Sequence, residues 1–318
     1  PPWFKTQLPT GEAMKIFEET RTRVESNQLN TVCEEARCPN IHDCWSRGTA
    51  TFMIAGHACT RGCRFCAVDT MKTPAQLDPN EPSNLAEAIT RMGLSHAVIT
   101  VVNRDDLPDG GAQHYRNCIM EVHKRSPEVG LELLCSDLDG NLEALAALLY
   151  ELPLNVFAHN VECVPRLDPI VRDPRASFAQ SLRILSEASY LRPDLKIKSS
   201  LMVGLGETDL EVVDAMRLLK DAGVHMITIG QYLRPSDRHL PVDRFPEPSS
   251  FMMWDEQARK IGFEAVACGP LVRSSYRAGL LFDESEGAEP VVTRDSTGSA
   301  ISSLQIHRPT MNKEGLAT

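Results

Sequence analysis

Three cysteines fall within one eight-residue stretch, Cys59, Cys63 and Cys66, at the spacing Cys-x3-Cys-x2-Cys. Thiolates set this closely on one loop are what holds an iron–sulfur cluster, and a cubane carries four irons. Three ligands leave one iron open to an exogenous chelating ligand, which makes such a cluster a reaction centre as well as an electron carrier. A structural zinc site is the alternative, with His57 as its fourth ligand, although zinc favours a closed set of four and paired Cys-x2-Cys knuckles. A second triplet, Cys33, Cys38 and Cys44, has the spacing Cys-x4-Cys-x5-Cys in the non-periodic stretch 31–45. The Cys-Pro and Cys-Trp pairs there argue against incidental thiols. Cys118, Cys135, Cys163 and Cys268 are isolated, and a lone buried cysteine usually acts as a small hydrophobe.

The elements that must position these residues alternate along the chain. Short β-rich apolar runs stand at 51–55, 96–102, 131–135, 154–159, 196–203 and 225–229, separated by helical spacing at 85–92, 112–123, 142–151, 178–188, 210–222 and 250–261. Six strand–helix units in series imply a parallel sheet with right-handed crossovers. The segments rich in Gly, Asp, Arg or Cys each follow a strand: 57–69, 103–111, 136–140, 160–166, 204–208 and 231–239. All would open at the C-terminal edge of the sheet, where barrels and open α/β sheets place their chemistry. The expected fold is α/β, a partial (β/α)6 TIM-type barrel over residues 51–265. An N-terminal extension over 1–50 carries the second triplet and a helix from Thr10 to Ser26. A C-terminal segment spans 266–282, and the aperiodic stretch 283–318 is expected to be a mobile tail.

The sequence has 318 residues, 42% of them hydrophobic, enough for the core of one large α/β domain. Its net charge is −10 with the basic residues scattered, so nothing forms the electrostatic footprint that nucleic-acid binding needs. No apolar run approaches the ~18–20 residues of a membrane span, and Pro1–Gly11 lacks a secretory pattern. A cytoplasmic location is expected, and clustered cysteines in a reducing compartment are more often ligands than disulfides.

The loop from Cys59 to Cys66, with Phe65 just before its last cysteine, resembles the signature loop of the radical S-adenosylmethionine superfamily. The string TVCEEARCPNIHDCW ahead of it resembles the lipoyl synthases, as do WFKTQLPTG, ITVVNRDDLPDGGA, FAHNVECVPRL, LMVGLGET, QYLRPSDRHLPV and GPLVRSSYRAG, which together span most of the chain. The resemblance implies two 4Fe-4S clusters. One, on Cys59, Cys63 and Cys66, binds S-adenosylmethionine and yields a 5′-deoxyadenosyl radical. The other, on Cys33, Cys38 and Cys44 with Ser275 of the RSSY motif as fourth ligand, is the sulfur source for C6 and C8 of a protein-bound octanoyl-lysine chain. It further implies contacts to S-adenosylmethionine from Phe65, Asp105, Asp106, Glu162, Ser199, Gly204 and Glu207. Implied partners are octanoylated lipoyl carriers (the glycine cleavage H protein and the lipoyl domains of 2-oxoacid dehydrogenases), an electron donor such as ferredoxin or flavodoxin, and a cluster-rebuilding iron–sulfur carrier. Without the resemblance, Ser274 and Ser275 read as loop residues, Asp105 and Asp106 as turn formers, and Arg234, Arg238 and Arg273 as either carboxylate partners or solvated charges. Ser136–Gly140 and Cys163 depart from the commoner family residues.

Overall fold

In the computed structural model, residues 1–4, 10–26, 31, 33, 38, 40–47 and 49–288 are described. The chain runs through α1 (Glu12–Ser26), α2 (Ile41–Trp45), β1 (Thr49–Ile54), β2 (Ala58–Cys59), β3 (Asp69–Thr70) and α3 (Glu81–Met92). It continues through β4 (His96–Val101), α4 (Ala112–Arg125), β5 (Gly130–Leu134), α5 (Leu142–Leu149), β6 (Val156–Ala158), α6 (Asp168–Val171) and α7 (Phe178–Leu191). Last come β7 (Lys196–Val203), α8 (Asp209–Asp221), β8 (Met226–Gln231), α9 (Pro248–Ile261), β9 (Ala265–Gly269) and α10 (Ala278–Ser285). Three of the helices begin where a side chain satisfies a free backbone N–H. Asn141 accepts from Ala144 N–H and Ser177 from Gln180 N–H, while Thr208 and Glu211 form a reciprocal capping box on α8.

Seven strands, β1 and β4 to β9, form one all-parallel sheet in strictly sequential order, and β2 and β3 pair separately. A doubly wound sheet would reverse direction at a switch point. This one does not, so it curls in one sense as an incomplete barrel, with no β1–β9 pairing among the described residues. The outward residues Ile99, Leu133, Phe157, Ile197, Leu201, Ile229 and Val266 pack under the helices in the larger core. Inward residues Val156, Met226, Ala265 and Ala267 form a second core with Cys44, Val272, Tyr276 and Leu281, so the segments flanking the sheet on either side in sequence reach its open side.

Two expectations need correction. A seventh strand, β9, joins the six, and the 265/266 boundary cuts through it. Its five residues, Ala-Val-Ala-Cys-Gly, are buried on both faces and so lack the alternation that marks a half-exposed strand. The expected mobile tail also begins too early: α10 crosses residue 282, and buried Glu284 is bound to Arg259 at 2.6 Å. Residues 289–318 lie outside the described residues.

Candidate active site

The cysteine loop leaves β1 through two left-handed residues, Ala55 (φ 70°) and Gly56 (φ 92°). Such a conformation in alanine is costly and must be held by its surroundings. Ala55 N–H donates to Glu81 Oε2 at 2.8 Å, and the Ala55 carbonyl accepts from Arg104 at 3.2 Å. Glu81 is itself bound to His114 of α4. Cys118 completes a compact Glu–His–Cys group there, but the carboxylate and the ring face each other directly, as a clamp on the start of the loop.

From this start the loop turns over the C-terminal edge of the sheet. Cys59, Cys63 and Cys66 line one cavity of about 270 Å³ with Phe65, Arg61, Asn103, Asp137, His159, Asn160, Glu162 and Arg172, and with apolar Met53, Val101 and Leu134 below. Arg61, buried inside the loop, binds Asp105 at 2.8 Å and Asp137 at 2.6 Å and reaches Asp139 at 3.2 Å. Burial alone would push the Asp137 carboxyl up; Arg61 and the Gln180 amide outweigh it and hold it below its ordinary value. His159 Nδ1 donates to Cys135 O (2.8 Å) and Nε2 pairs with Ser181 Oγ (2.9 Å), and burial pushes the ring down to about 4, which keeps it neutral. A carbonyl only accepts, so Nδ1 carries the ring proton.

All ten cysteines are free. Burial raises the Cys63 thiol to about 11 and raises Cys66 as well, while the Asp173 N–H works against it at Cys63. Two backbone donors aim at the sulfurs: Arg61 N–H at Cys59 Sγ, 3.4 Å, and Asp173 N–H at Cys63 Sγ, 3.3 Å. Water-poor surroundings with N–H groups directed at sulfur suit thiolates that bind metal, because the metal supplies the missing positive charge. His57 is exposed and lies outside the cavity lining, so it does not complete a zinc site.

The second triplet gathers where residues 40–44 meet residues 271–277. Cys33 and Cys44 are buried and Cys38 half-buried, with Cys38 N–H on Cys33 O at 2.9 Å. Burial drives the Cys44 thiol up to about 12, with Cys38, Asp43 and Cys33 close enough to add to it. Two contacts tie this segment to residues 271–277: Asn40 Nδ2 donates to Leu271 O at 2.6 Å, and Arg277 Nε binds Asp43 Oδ2 at 2.7 Å. Ser275 sits in the turn so held, between Arg273, which feels Cys38, and Tyr276, which packs with Cys44. Two buried thiols and a half-buried one, fastened to the turn that carries Ser275, are the kind of donors that a four-iron cluster takes.

The residues expected to touch S-adenosylmethionine divide. Phe65 and Glu162 line the cavity. Glu162 takes φ 67°, and burial raises its carboxyl. Asp105 is consumed by Arg61, Thr60 and Arg175, and Asp106 by Arg104 at 2.8 Å. Ser199 points outward, since Ser200, its neighbour on β7, pairs with the inward Thr228 at 2.8 Å. Glu207 accepts from Gly204 N–H (2.7 Å) and Leu205 N–H (2.9 Å), so it closes its own glycine turn. Gly204 has φ 96°, and a Cβ there would collide with the Gln231 amide and the Arg244 carbonyl. Asp137, His159, Arg172 and Asp173 were missed from the sequence. Arg61 between the cysteines, a buried cation needing carboxylates, was the available signal for Asp137.

The model of the Radical SAM superfamily matches residues 53–229. A lipoyl synthase of Halorhodospira halophila is 48% identical over 295 residues, covering 93% of this chain and 87% of that one. The mitochondrial lipoyl synthase of Branchiostoma floridae is 50% identical over 89% of this chain and 75% of its own. The chain belongs to the lipoyl synthase family. It is thus a radical S-adenosylmethionine enzyme of the sulfurtransferase class, and an iron–sulfur cluster and S-adenosylmethionine come with that family. Among solved structures, the FeFe-hydrogenase maturase HydG from Carboxydothermus hydrogenoformans matches 88% of this chain with TM-score 0.57 at 14% identity, a likeness of fold. The lipoyl synthase relatives divide between mitochondrial and bacterial proteins, so membership by itself sets no compartment. No helix among the described residues is long and apolar enough to cross a membrane.

Proposed function

We propose that Cys59, Cys63 and Cys66 hold the cluster that binds S-adenosylmethionine, and that Cys33, Cys38 and Cys44 with Ser275 hold a second four-iron cluster. The reaction is the family's: two sulfur atoms enter at C6 and C8 of an octanoyl chain amide-linked to a lysine of a lipoyl carrier protein. When bound, the loop cluster supplies the electron that cleaves S-adenosylmethionine to methionine and a 5′-deoxyadenosyl radical, one per C–H bond broken, and the second cluster supplies sulfur. The chain's own residues orient and shelter. Met53, Val101 and Leu134 give the cavity an apolar floor that excludes water from a reactive species and suits an alkyl chain. Glu162 and Asn160 on its wall are the groups available to a cofactor that carries an ammonium, a carboxylate and hydroxyls. Ser275, an oxygen donor among thiolates, is the weakest of its set for iron and the ligand most readily released.

The observation that carries this reading is that each triplet is gathered in space with its own support. One lines the cavity beneath backbone N–H donors; the other is fastened to residues 271–277. Partners in the same proposal are octanoylated carrier domains, a low-potential electron donor and an iron–sulfur carrier that rebuilds the spent cluster. The test is anaerobic iron and sulfide analysis, then incubation with S-adenosylmethionine, reductant and an octanoyl-lysine peptide under mass spectrometry. About eight irons per chain, 5′-deoxyadenosine and a peptide gaining two sulfurs are expected. Cys33→Ala should still yield 5′-deoxyadenosine without lipoyl product; lipoyl product from that variant would remove the second triplet from the reaction.

A further inference from the structure

Loop 59–66 is stitched to a distant segment, residues 170–175, which follows β6 and belongs to neither cysteine motif. Arg64 N–H donates to Val171 O at 2.9 Å, and its side chain reaches Ile170 O at 3.3 Å. Asp173 makes a reciprocal pair of contacts: its carboxylate accepts Gly62 N–H at 2.8 Å, and its own N–H points at Cys63 Sγ at 3.3 Å. Arg175 locks that carboxylate through Nε at 2.9 Å, then crosses to Thr60 O at 2.6 Å and Asp105 at 3.1 Å. Gly62 lies between the first two cysteines, so the bond to its N–H fixes the loop at its middle. The Cys63 sulfur is thereby held where one particular backbone N–H can reach it.

We propose that Asp173 is a positioning residue for the loop cluster: its side chain holds Gly62, and through Gly62 it keeps its own backbone N–H directed at the Cys63 sulfur. This rests on the reading that Cys63 is a cluster ligand. An N–H directed at a ligand sulfur stabilises the more negative, reduced cluster, so losing it lowers the reduction potential. Removing the carboxylate also removes a negative charge, which acts in the opposite sense. Alanine and asparagine remove the same charge, and only asparagine keeps an acceptor oxygen for Gly62 N–H, so comparing the two isolates the bond.

The experiment uses full-length holoenzyme, prepared anaerobically as wild type, D173A and D173N. The loop cluster is identified as the paramagnetic signal that changes when S-adenosylmethionine is added. Its midpoint is read by redox titration, and its iron loss to a chelator is followed in time. D173A is expected to have a midpoint below that of D173N and to lose loop iron about fivefold faster, the factor one hydrogen bond is worth; D173N should return toward the wild-type rate. The proposal fails if D173A matches wild type in both readouts, or if D173A and D173N move together. Should D173A not accumulate as folded protein, Asp173→Ser replaces it, its hydroxyl being too short to reach Gly62, with the same outcomes. Cys63→Ala is the control: if it keeps the responsive signal, the ligand reading has failed rather than the role of Asp173.

Discussion

Under the cavity, Glu132 of β5 and Lys198 of β7 face each other inside the barrel at 2.8 Å, each 1% exposed. Replacing Lys198 by methionine removes the carboxylate's lysine partner and leaves only His96 facing it, its Nε2 at 3.9 Å. At that separation and an effective dielectric near 20, the lost attraction is about 6 kcal/mol, and burial costs of several kcal/mol per ion offset most of it in the intact pair. The variant can escape part of the loss by protonating Glu132, whose ordinary value is 4.5. At ~1.36 kcal/mol per unit, that caps the cost of K198M near 3 kcal/mol at pH 7 and near 1 kcal/mol at pH 5.5. The sign follows: with its partner gone, the folded Glu132 carboxyl is raised above its unfolded value. Stability is then fullest at low pH and is lost as pH rises from about 4.5 toward the raised value. The double variant E132L/K198M leaves no charge and should stand within about 1 kcal/mol of wild type or above it. Anaerobic urea titrations followed by far-ultraviolet circular dichroism at the two pH values read all three proteins. A K198M deficit that is the same at both pH values, or a double variant as weak as the single, would refute the assignment of the cost to a stranded carboxylate.

His159 gives the opposite pH dependence. Burial lowers it from 6.5 to about 4, so stability is whole above pH 6.5 and falls by about 2 kcal/mol by pH 5 as the unfolded chain takes up the proton; His159→Gln should flatten that fall in urea midpoints. Arg277→Met breaks the 2.7 Å bond to Asp43. It should lower iron from about eight per chain toward four while the signal that responds to S-adenosylmethionine persists, as iron assay and spin quantitation will report.

The sequence was most legible where chemistry and local pattern coincide. The two triplets are short and dense in thiols, and β7 was bounded as the structure has it, Lys196–Val203, because its apolar run is long and sharply delimited. Alternation fitted a doubly wound sheet as well as a barrel, and the polar, glycine- and cysteine-rich segments after each strand favoured the partial barrel. What escaped was set by tertiary contacts. Asp173 and Arg175 stand in an ordinary-looking Asp-Pro-Arg turn, and only the fold brings Asp173 to Gly62 and Cys63, 111 and 110 residues back along the chain, and Arg175 to Thr60. Asp105 and Asp106 looked free to meet a ligand because sequence does not reveal that Arg61 and Arg104 already take them. Ser199 and Ser200 are indistinguishable in sequence, yet strand register sends one to each face.

The two cysteine sites also differ in how the chain encloses them. The loop site is carried by one strand and its following loop, then braced by the turns after β4 and β6, so it forms with the barrel itself. The second site joins the two ends of the described fold: its fastening contacts, Asn40 to Leu271 and Asp43 to Arg277, close separations of 231 and 234 residues. Closing so long a loop is entropically costly and comes late, after the local units exist. Such a seam can open while the parallel sheet, held by six consecutive strand–strand pairings, stays intact. On the proposal that this site holds a cluster consumed in each turnover, that is the kind of place best suited to it. Its release and replacement then disturb a seam between chain ends, and the site that generates the radical keeps its geometry from one round to the next.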